Sequence, residues 1–232
     1  MTTNETHDST ESIILETGSN PQHSIIWMHG LGADGNDFVP IVETLNLPDN
    51  LSIRFIFPHA PMCPVSINNG YVMRAWYDIK DQKLDHLEDE SGITASQQII
   101  HSLVEHEVTH GISSQNIILA GFSQGGVMAL HTGLRYSNKL AGIMALSCYL
   151  PLANTLESDI AAGTCTHNSS TPIFMAHGAQ DPIVPITLAN NSKELLQTTH
   201  YSVLWKEYAM AHAVCADEII DIGNWVQQVF KK

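Results

Sequence analysis

The sequence has few positive charges and no long apolar run. Its 10 lysines and arginines face 24 aspartates and glutamates, which gives a formal net charge of -14 at pH 7. This imbalance repels polyanions and argues against nucleic acid or anionic membrane surfaces as partners. No stretch approaches the roughly 18 apolar residues of a membrane span, and the polar start "MTTNETHDSTES" lacks the features of a secretory signal. We therefore expect a cytoplasmic protein without stable membrane insertion.

Cysteine is also scarce, with four residues and no Cys-x-x-Cys spacing. The pattern predicts neither a disulfide framework nor a cysteine zinc site. A length of 232 residues suits one α/β domain with a sizeable core. We expect residues 1–11 to be a disordered tail and residues 12–232 to form that single domain.

Apolar segments rich in β-branched residues alternate with segments of helical period, which predicts a mostly parallel sheet covered by helices. Strands are predicted near residues 12–16, 24–28, 52–57, 116–120, 142–147, 172–176 and 202–207. Helices are predicted near residues 37–46, 93–110, 124–136, 187–198 and 215–230. The connection at 58–91 is too long for an ordinary turn and too apolar for a disordered one, so we expect it to have a function. Residues 153–171 are predicted to be a surface excursion.

Three short patterns point to three different chemistries. The first, "HEVTH" from His106 to His110, is typical of a zinc helix, which needs a third ligand and a glutamate above the metal-bound water. Here the helix is expected to stop at Gly111, where a histidine near the last carbonyls is favourable for structural reasons alone. A solvated helix end is therefore the preferred interpretation, and no metal site is predicted.

The second pattern, "HGLGADG" from His29 to Gly35, has the glycine spacing of a dinucleotide loop and follows an apolar strand. A dinucleotide site also needs an acidic residue at the end of the next strand to bind the ribose. That strand ends in Pro58 and His59 instead, so this interpretation is disfavoured. No nucleotide site is predicted in this loop.

The third pattern, "GFSQG" from Gly121 to Gly125, lies between an apolar strand and a helical segment. This strand–turn–helix context is that of a nucleophile elbow, in which the serine is strained and its neighbours two residues away must be glycine. Ser123 needs a base and a residue that orients the base, and in this fold they follow in the order serine, acid, histidine. Asp181 and His212 occupy loops after later strands in that order, whereas His177 lies within a strand and is expected to be structural.

Acyl transfer also requires donors for the oxyanion of the tetrahedral intermediate. The elbow supplies the backbone N–H of Gln124, and the second donor should come from a loop after an early strand. "HGLG" is such a loop, and we expect the Leu31 N–H to be the donor.

Over Ile25 to Phe230 the chain resembles the carboxylesterase and acyl-protein thioesterase branch of the α/β-hydrolases, also described as lysophospholipase-like. The resemblance rests on ordered blocks that include "HGLGADGNDF", "FPHAP", "RAWYDI", "GFSQGG", "HGAQDPIVP" and "HAVCADEI". It implies an α/β-hydrolase fold with helices on both faces of the sheet, the triad Ser123, Asp181 and His212, and no metal or cofactor. Ala213 stands where the family commonly has serine, and Ser66 where threonine is usual.

The resemblance also implies the substrate class. Such enzymes hydrolyse short to medium acyl esters, lysophospholipids or the thioesters of S-acylated proteins, with the long loop after the second main strand lining the acyl channel. A homodimer is a further implication. A non-catalytic ligand receptor on the same fold remains the alternative of another class. The candidate acyl contacts are Val65, Met73, Trp76, Tyr149, Ile183 and Val184.

Overall fold

A computed structural model describes residues 11–231. The predicted disordered tail therefore lies outside the described residues, apart from Glu11. Within the described range the strands are β1 (Ser12–Glu16), β2 (His23–Met28), β3 (Ile53–Pro58), β4 (Met62–Val65), β5 (Tyr71–Arg74), β6 (Ile117–Phe122), β7 (Gly142–Leu146), β8 (Ile173–Gly178) and β9 (Val203–Tyr208). The helices are α1 (Ile41–Thr44), α2 (Glu90–Thr109), α3 (Gln124–Arg135), α4 (Leu156–Ala161), α5 (Ile186–Thr198) and α6 (Ala216–Phe230).

Seven strands form the central sheet in the order β1-β3-β2-β6-β7-β8-β9. Every neighbouring pair is parallel except β1 with β3, which is antiparallel. The mostly parallel sheet predicted from the sequence is therefore confirmed. Because parallel strands end at the same edge, the loops after β2, β6, β8 and β9 all emerge on one side of the sheet, where α/β proteins bind their ligands.

Helices cover both faces of this sheet. Residues of α2, α3 and α5 share one hydrophobic cluster with one face, and residues of α1 and α6 share a second cluster with the other. The central strand β6 shows the division, since Ile117 and Leu119 belong to the first cluster and Ile118 and Ala120 to the second. Burial of both faces explains why this strand is a continuous apolar run rather than an alternating one.

The helix predicted at residues 37–46 is much shorter in the structure, where α1 covers only Ile41–Thr44. The preceding residues form turns instead. Asp34 Oδ1 accepts the Asn36 N–H at 2.8 Å, a local bond that competes with helix formation. Pro40 stands at the N-cap and has no N–H to donate to a preceding turn, which disfavours an earlier start of the helix.

Two long connections contain more regular structure than the sequence indicated. Residues 58–91 include the antiparallel hairpin of β4 and β5, which pairs Met62 with Arg74 and Val65 with Tyr71. The predicted surface excursion at 153–171 contains α4. Within residues 11–231, no helix has both the length and the apolar character needed to cross a bilayer.

Candidate active site

The candidate nucleophile occupies a strained turn. β6 ends at Phe122 and α3 begins at Gln124, so Ser123 alone connects strand and helix. Its φ of 54° and ψ of −121° are unusual for a residue with a side chain, and such strain is concentrated at functional sites. The surrounding structure fixes this conformation, because the Ser123 N–H donates to Leu146 O at 2.8 Å and its carbonyl accepts the Val127 N–H at 3.0 Å.

The two glycines of the turn are required by close backbone contacts. A Cβ atom on Gly121 would lie 2.2 Å from the carbonyl group of Gly125. A Cβ atom on Gly125 would lie 2.2 Å from the carbonyl oxygen of Met28 at the end of β2. Real Cβ atoms do not approach backbone this closely, so both positions exclude a side chain. The requirement for glycine on both sides of Ser123, expected from the sequence, therefore has a steric cause in the structure.

A continuous chain of hydrogen bonds links Ser123 to His212 and Asp181. His212 Nε2 lies 2.9 Å from Ser123 Oγ, and His212 Nδ1 lies 2.6 Å from Asp181 Oδ2. The second carboxylate oxygen, Oδ1, accepts the N–H groups of Ile183 and Val184 at 2.8 and 2.9 Å. Hydrogen bonds to both oxygens thus fix the Asp181 carboxylate. The Asp181 side chain is fully buried, whereas the His212 side chain keeps 16% of its surface exposed.

His177, the other histidine near the acid, lies within β8 as the sequence suggested. Its Nε2 donates to Val184 O at 2.8 Å and lies 3.5 Å from Asp181 Oδ2. Burial lowers the pKa of His177, which keeps the ring neutral beside the carboxylate. The ring thus supports the turn that holds Asp181.

Both predicted oxyanion donors have free amides. No acceptor within residues 11–231 takes the backbone N–H of Leu31 or of Gln124, the first residue of α3. The next amide of the loop is not free, because the Gly32 N–H donates to Arg74 O at 2.9 Å. Gly30 packs so closely against Ser123 that a Cβ atom on it would lie 3.4 Å from Ser123 Cβ.

A buried network behind these amides was not apparent in the sequence. The Gln124 carboxamide bridges two backbone groups: its Oε1 accepts the Trp76 N–H at 2.9 Å, and its Nε2 donates to Tyr77 O at 2.7 Å. The Trp76 indole N–H donates to His29 O at 2.9 Å. His29, Trp76 and Gln124 are each at most 3% exposed. A glutamine directly after the candidate nucleophile was the one signal that could have indicated the network, since an amide side chain enclosed at that position needs partners.

The candidate acyl contacts divide into buried and accessible residues. Trp76, Tyr149 and Val184 belong to the hydrophobic core, and Val65 is also fully buried. Ile183 is 60% exposed next to the Asp181 turn. Met73 is partly exposed, and its sulfur would lie 3.5 Å from a Cβ atom on Gly32. Met73 therefore lies beside Gly32 of the "HGLG" loop, and Ile183 lies in the turn that contains Asp181.

The two histidines of "HEVTH" lie side by side, with ring centroids 4.1 Å apart, but Glu107 does not join them. Glu107 is buried and its carboxylate lies 3.3 Å from the Arg54 guanidinium, whereas His106 and His110 are exposed at the end of α2. His110 Nδ1 bonds to His106 O at 2.7 Å, which is the helix-end role expected from the sequence. Gly111 follows with a φ of 98°, which ends the helix. Among the described residues, no group of three or more metal-ligating side chains is present.

The glycines of "HGLGADG" are packed against other parts of the protein. A dinucleotide loop leads directly into a helix whose N-terminus faces the pyrophosphate. Here turns follow the loop, and α1 starts only at Ile41. A Cβ atom on Gly35 would lie 2.5 Å from Phe57 O, so this glycine permits close packing against β3.

The chain is similar to known proteins over most of its length. A family model described as Phospholipase/Carboxylesterase matches residues 9–230. Acyl-protein thioesterase 1 of Gibberella zeae is 38% identical over 223 residues, which cover 93% of this chain and 94% of that protein. Acyl-protein thioesterase 1 of Neurospora crassa is 38% identical over 216 residues, with 90% and 87% covered.

Solved structures of other proteins are similar to most of this chain as well. The crystal structure of Arabidopsis thaliana SOBER1 superposes with a TM-score of 0.83 at 27% identity and covers 90% of this chain and 99% of that one. The crystal structure of Zea mays acyl-protein thioesterase 2 has a TM-score of 0.82 at 27% identity, with 94% and 98% covered.

Proposed function

Since the chain belongs to the phospholipase/carboxylesterase family and is a hydrolase of acyl esters or thioesters, we propose that Ser123 is its nucleophile. We further propose that His212 is the general base and that Asp181 orients it. The resemblance and the α/β-hydrolase fold predicted from the sequence are confirmed by the family match and the structural neighbours.

The observation that carries the assignment of roles is the hydrogen-bond chain from Ser123 through His212 to Asp181, with lengths of 2.9 and 2.6 Å. Both distances are within the range needed for proton transfer and for orienting the base. A ligand receptor on this fold would not require a strained serine with a histidine in contact. The geometry therefore favours catalysis over the receptor alternative.

In the proposed reaction, Ser123 Oγ attacks the acyl carbon while His212 Nε2 takes the hydroxyl proton. The electron pair of the carbonyl moves to its oxygen, and the Leu31 and Gln124 N–H groups donate to the resulting oxyanion. Collapse of this intermediate breaks the bond to the leaving oxygen or sulfur, which receives the proton from His212. Water, deprotonated by the same ring, then releases the acid from the acyl-enzyme.

For the substrate, we propose an acyl thioester of an S-acylated protein in addition to simple acyl esters. The similarity to two fungal acyl-protein thioesterases over most of the chain supports the thioester. Met73 and Ile183, the two accessible candidates, are the proposed contacts for the acyl chain near the site. A homodimer and a cytoplasmic location remain predictions, and sedimentation velocity of the purified protein tests the first.

The test of the nucleophile is labelling by a fluorophosphonate probe followed by peptide mass spectrometry. We expect the probe on Ser123 in the wild-type protein and no labelling in Ser123→Ala. Ser102→Ala, a change at an exposed serine on α2, is the matched control and should label normally. Labelling that persists in Ser123→Ala would refute the assignment, and a wild-type protein that does not react would refute an activated serine at this site.

The test of the substrate class is a panel of p-nitrophenyl esters and S-acyl cysteine peptides with matched acyl chains of graded length. We expect hydrolysis of both series, with the higher kcat/KM on the thioester peptides. A wild-type protein that labels at Ser123 but leaves every thioester intact would restrict the function to ester hydrolysis.

A further inference from the structure

His29, the first residue of the proposed oxyanion loop at residues 29–32, makes a contact that the proposed reaction leaves unused. We propose that His29, held as its Nδ1–H tautomer, is a positioning residue that turns the Leu31 N–H toward the oxyanion. The inference rests on the proposed function, because it assumes that the Leu31 amide serves as an oxyanion donor. It assigns the residue a role in presenting that amide rather than in moving protons.

The geometry concerns one peptide unit, the one that joins Gly30 to Leu31. His29 Nδ1 lies 2.7 Å from Gly30 O, the carbonyl of this unit. All peptide bonds of the described residues are trans, and in a trans unit the N–H points away from the C=O. A donor that holds Gly30 O therefore also sets the direction of the Leu31 N–H. Hydrogen bonding at the carbonyl additionally polarises the amide and strengthens its N–H as a donor.

The tautomer follows from the other ring nitrogen. The Ala60 N–H donates to His29 Nε2 at 3.0 Å, so Nε2 must carry a lone pair and Nδ1 the proton. Ala60 is itself held by Arg74, whose guanidinium donates to Ala60 O at 2.8 Å. Burial lowers the pKa of His29, which is 1% exposed, so the neutral form persists.

The peptide groups on either side are fixed by other partners. The His29 carbonyl accepts the Trp76 indole N–H at 2.9 Å, and the Gly32 N–H donates to Arg74 O at 2.9 Å. Gly30 O receives one further bond, the turn bond from the Ala33 N–H, at the longer distance of 3.3 Å. The short bond from His29 is thus the main restraint on this unit, and its loss should loosen the unit without releasing the loop.

The experiment separates the two ring nitrogens by substitution. The His29→Asn side chain places an N–H donor near the Nδ1 position, and the His29→Gln side chain places an acceptor near the Nε2 position. We expect His29→Gln to lower kcat on a p-nitrophenyl ester about 10- to 100-fold with KM changed less than about twofold, somewhat less than removal of an oxyanion donor. His29→Asn should recover most of this loss.

The matched control is His59→Ala. His59 Nδ1 accepts the Gly35 N–H at 3.0 Å and so connects the same two loops without contacting the Gly30–Leu31 unit. This variant should lose stability and keep kcat. An equal loss of kcat in His59→Ala and His29→Gln would mean that loosening of the loops explains both, which overturns the proposal. Equal kcat in His29→Gln and His29→Asn would overturn it as well.

Long-range ¹H–¹⁵N spectra of the wild-type protein test the tautomer without any substitution that could impair folding. A proton on Nδ1 of His29 supports the proposal, and a proton on Nε2 overturns it. Fluorophosphonate labelling separates this inference from the proposed function. A labelled, active wild type with insensitive His29 variants refutes only the inference, whereas an unlabelled wild type refutes both.

Discussion

Replacement of Gly125 by alanine should impair catalysis through a contact between backbones. The added Cβ atom would lie 2.2 Å from Met28 O, 2.5 Å from Met28 C and 2.7 Å from His29 O. Ordinary contact starts at 3.4 Å, so the start of α3 and the end of β2 must separate by about 1 Å. None of these atoms belongs to a side chain that could rotate away.

The separation moves the two halves of the proposed oxyanion site apart, because Ser123 and Gln124 belong to one side and the loop from His29 to Gly32 to the other. A displacement of about 1 Å costs on the order of 10² in rate where reacting groups must be aligned. We therefore expect kcat for a p-nitrophenyl ester to fall about 100-fold. KM should change little, since the accessible acyl contacts proposed above, Met73 on β5 and Ile183 in the connection after β8, belong to other elements.

Gly133→Ala is the matched control in the same helix. Its Cβ atom would lie 2.7 Å from Cγ1 and Cδ1 of Ile143, and all three of its nearest neighbours are side-chain atoms of this residue. The variant should lose about 1–3 kcal/mol of stability through overpacking and keep kcat within about twofold. Thermal unfolding of both variants verifies that activity is compared between folded proteins. If folded Gly125→Ala matches Gly133→Ala in kcat, the steric reasoning is refuted.

Three further predictions follow from the site and its surroundings. Ser123→Ala should lower kcat by on the order of 10⁶ in a discontinuous ester-hydrolysis assay, and a kcat near the wild-type value would contradict the proposed role of Ser123. Asp181→Asn should lower kcat about 10⁴-fold without unfolding, because His212 loses the carboxylate that orients it; a loss below tenfold would contradict this role. Glu218 is fully buried, and neither carboxylate oxygen makes a hydrogen bond of normal geometry within the described range. Burial raises the pKa of Glu218 from 4.5 to about 8, an effect that outweighs the opposing contribution of the nearby Cys215 N–H. The folded state therefore binds the proton more tightly, so stability should fall by up to about 4 kcal/mol as pH rises from about 4.5 to 8, and Glu218→Gln should remove this fall in chemical denaturation. Identical pH profiles for Glu218→Gln and wild type would show that the carboxyl does not titrate in this range.

Much of the fold could be predicted from local patterns. Strands such as β6 and β8 are short apolar runs bounded by glycine or polar residues, and the periodicity of α2 and α6 extends over many residues. The helix predicted at 37–46 is much shorter in the structure because apolar spacing ignores Pro40 and the side chain of Asp34, which favour turns before Ile41. The hairpin of β4 and β5 was missed because its prolines and glycine indicate a loop.

The candidate triad could be proposed from the sequence because each residue follows a strand in the order known for this fold. The distances could not, since His212 is 31 residues from Asp181 and 89 residues from Ser123 in the chain. Only the order of strands in the sheet brings their loops to one edge. The sequence also does not show whether an apolar residue in a connection, such as Trp76 or Tyr149, faces the core or the site.

The sequence by itself determined the strained turn at Ser123, its two glycines, the order of the triad and the family resemblance, because each depends on a short stretch of chain or on order along it. Tertiary structure alone decided which amides stay free, how the Gln124 side chain is bound and which nitrogen of His29 carries the proton. These depend on β2 lying beside β6 and on the loop after β3 closing over both. Hydrogen-bond partners across loops are set by that packing, and no local pattern encodes it.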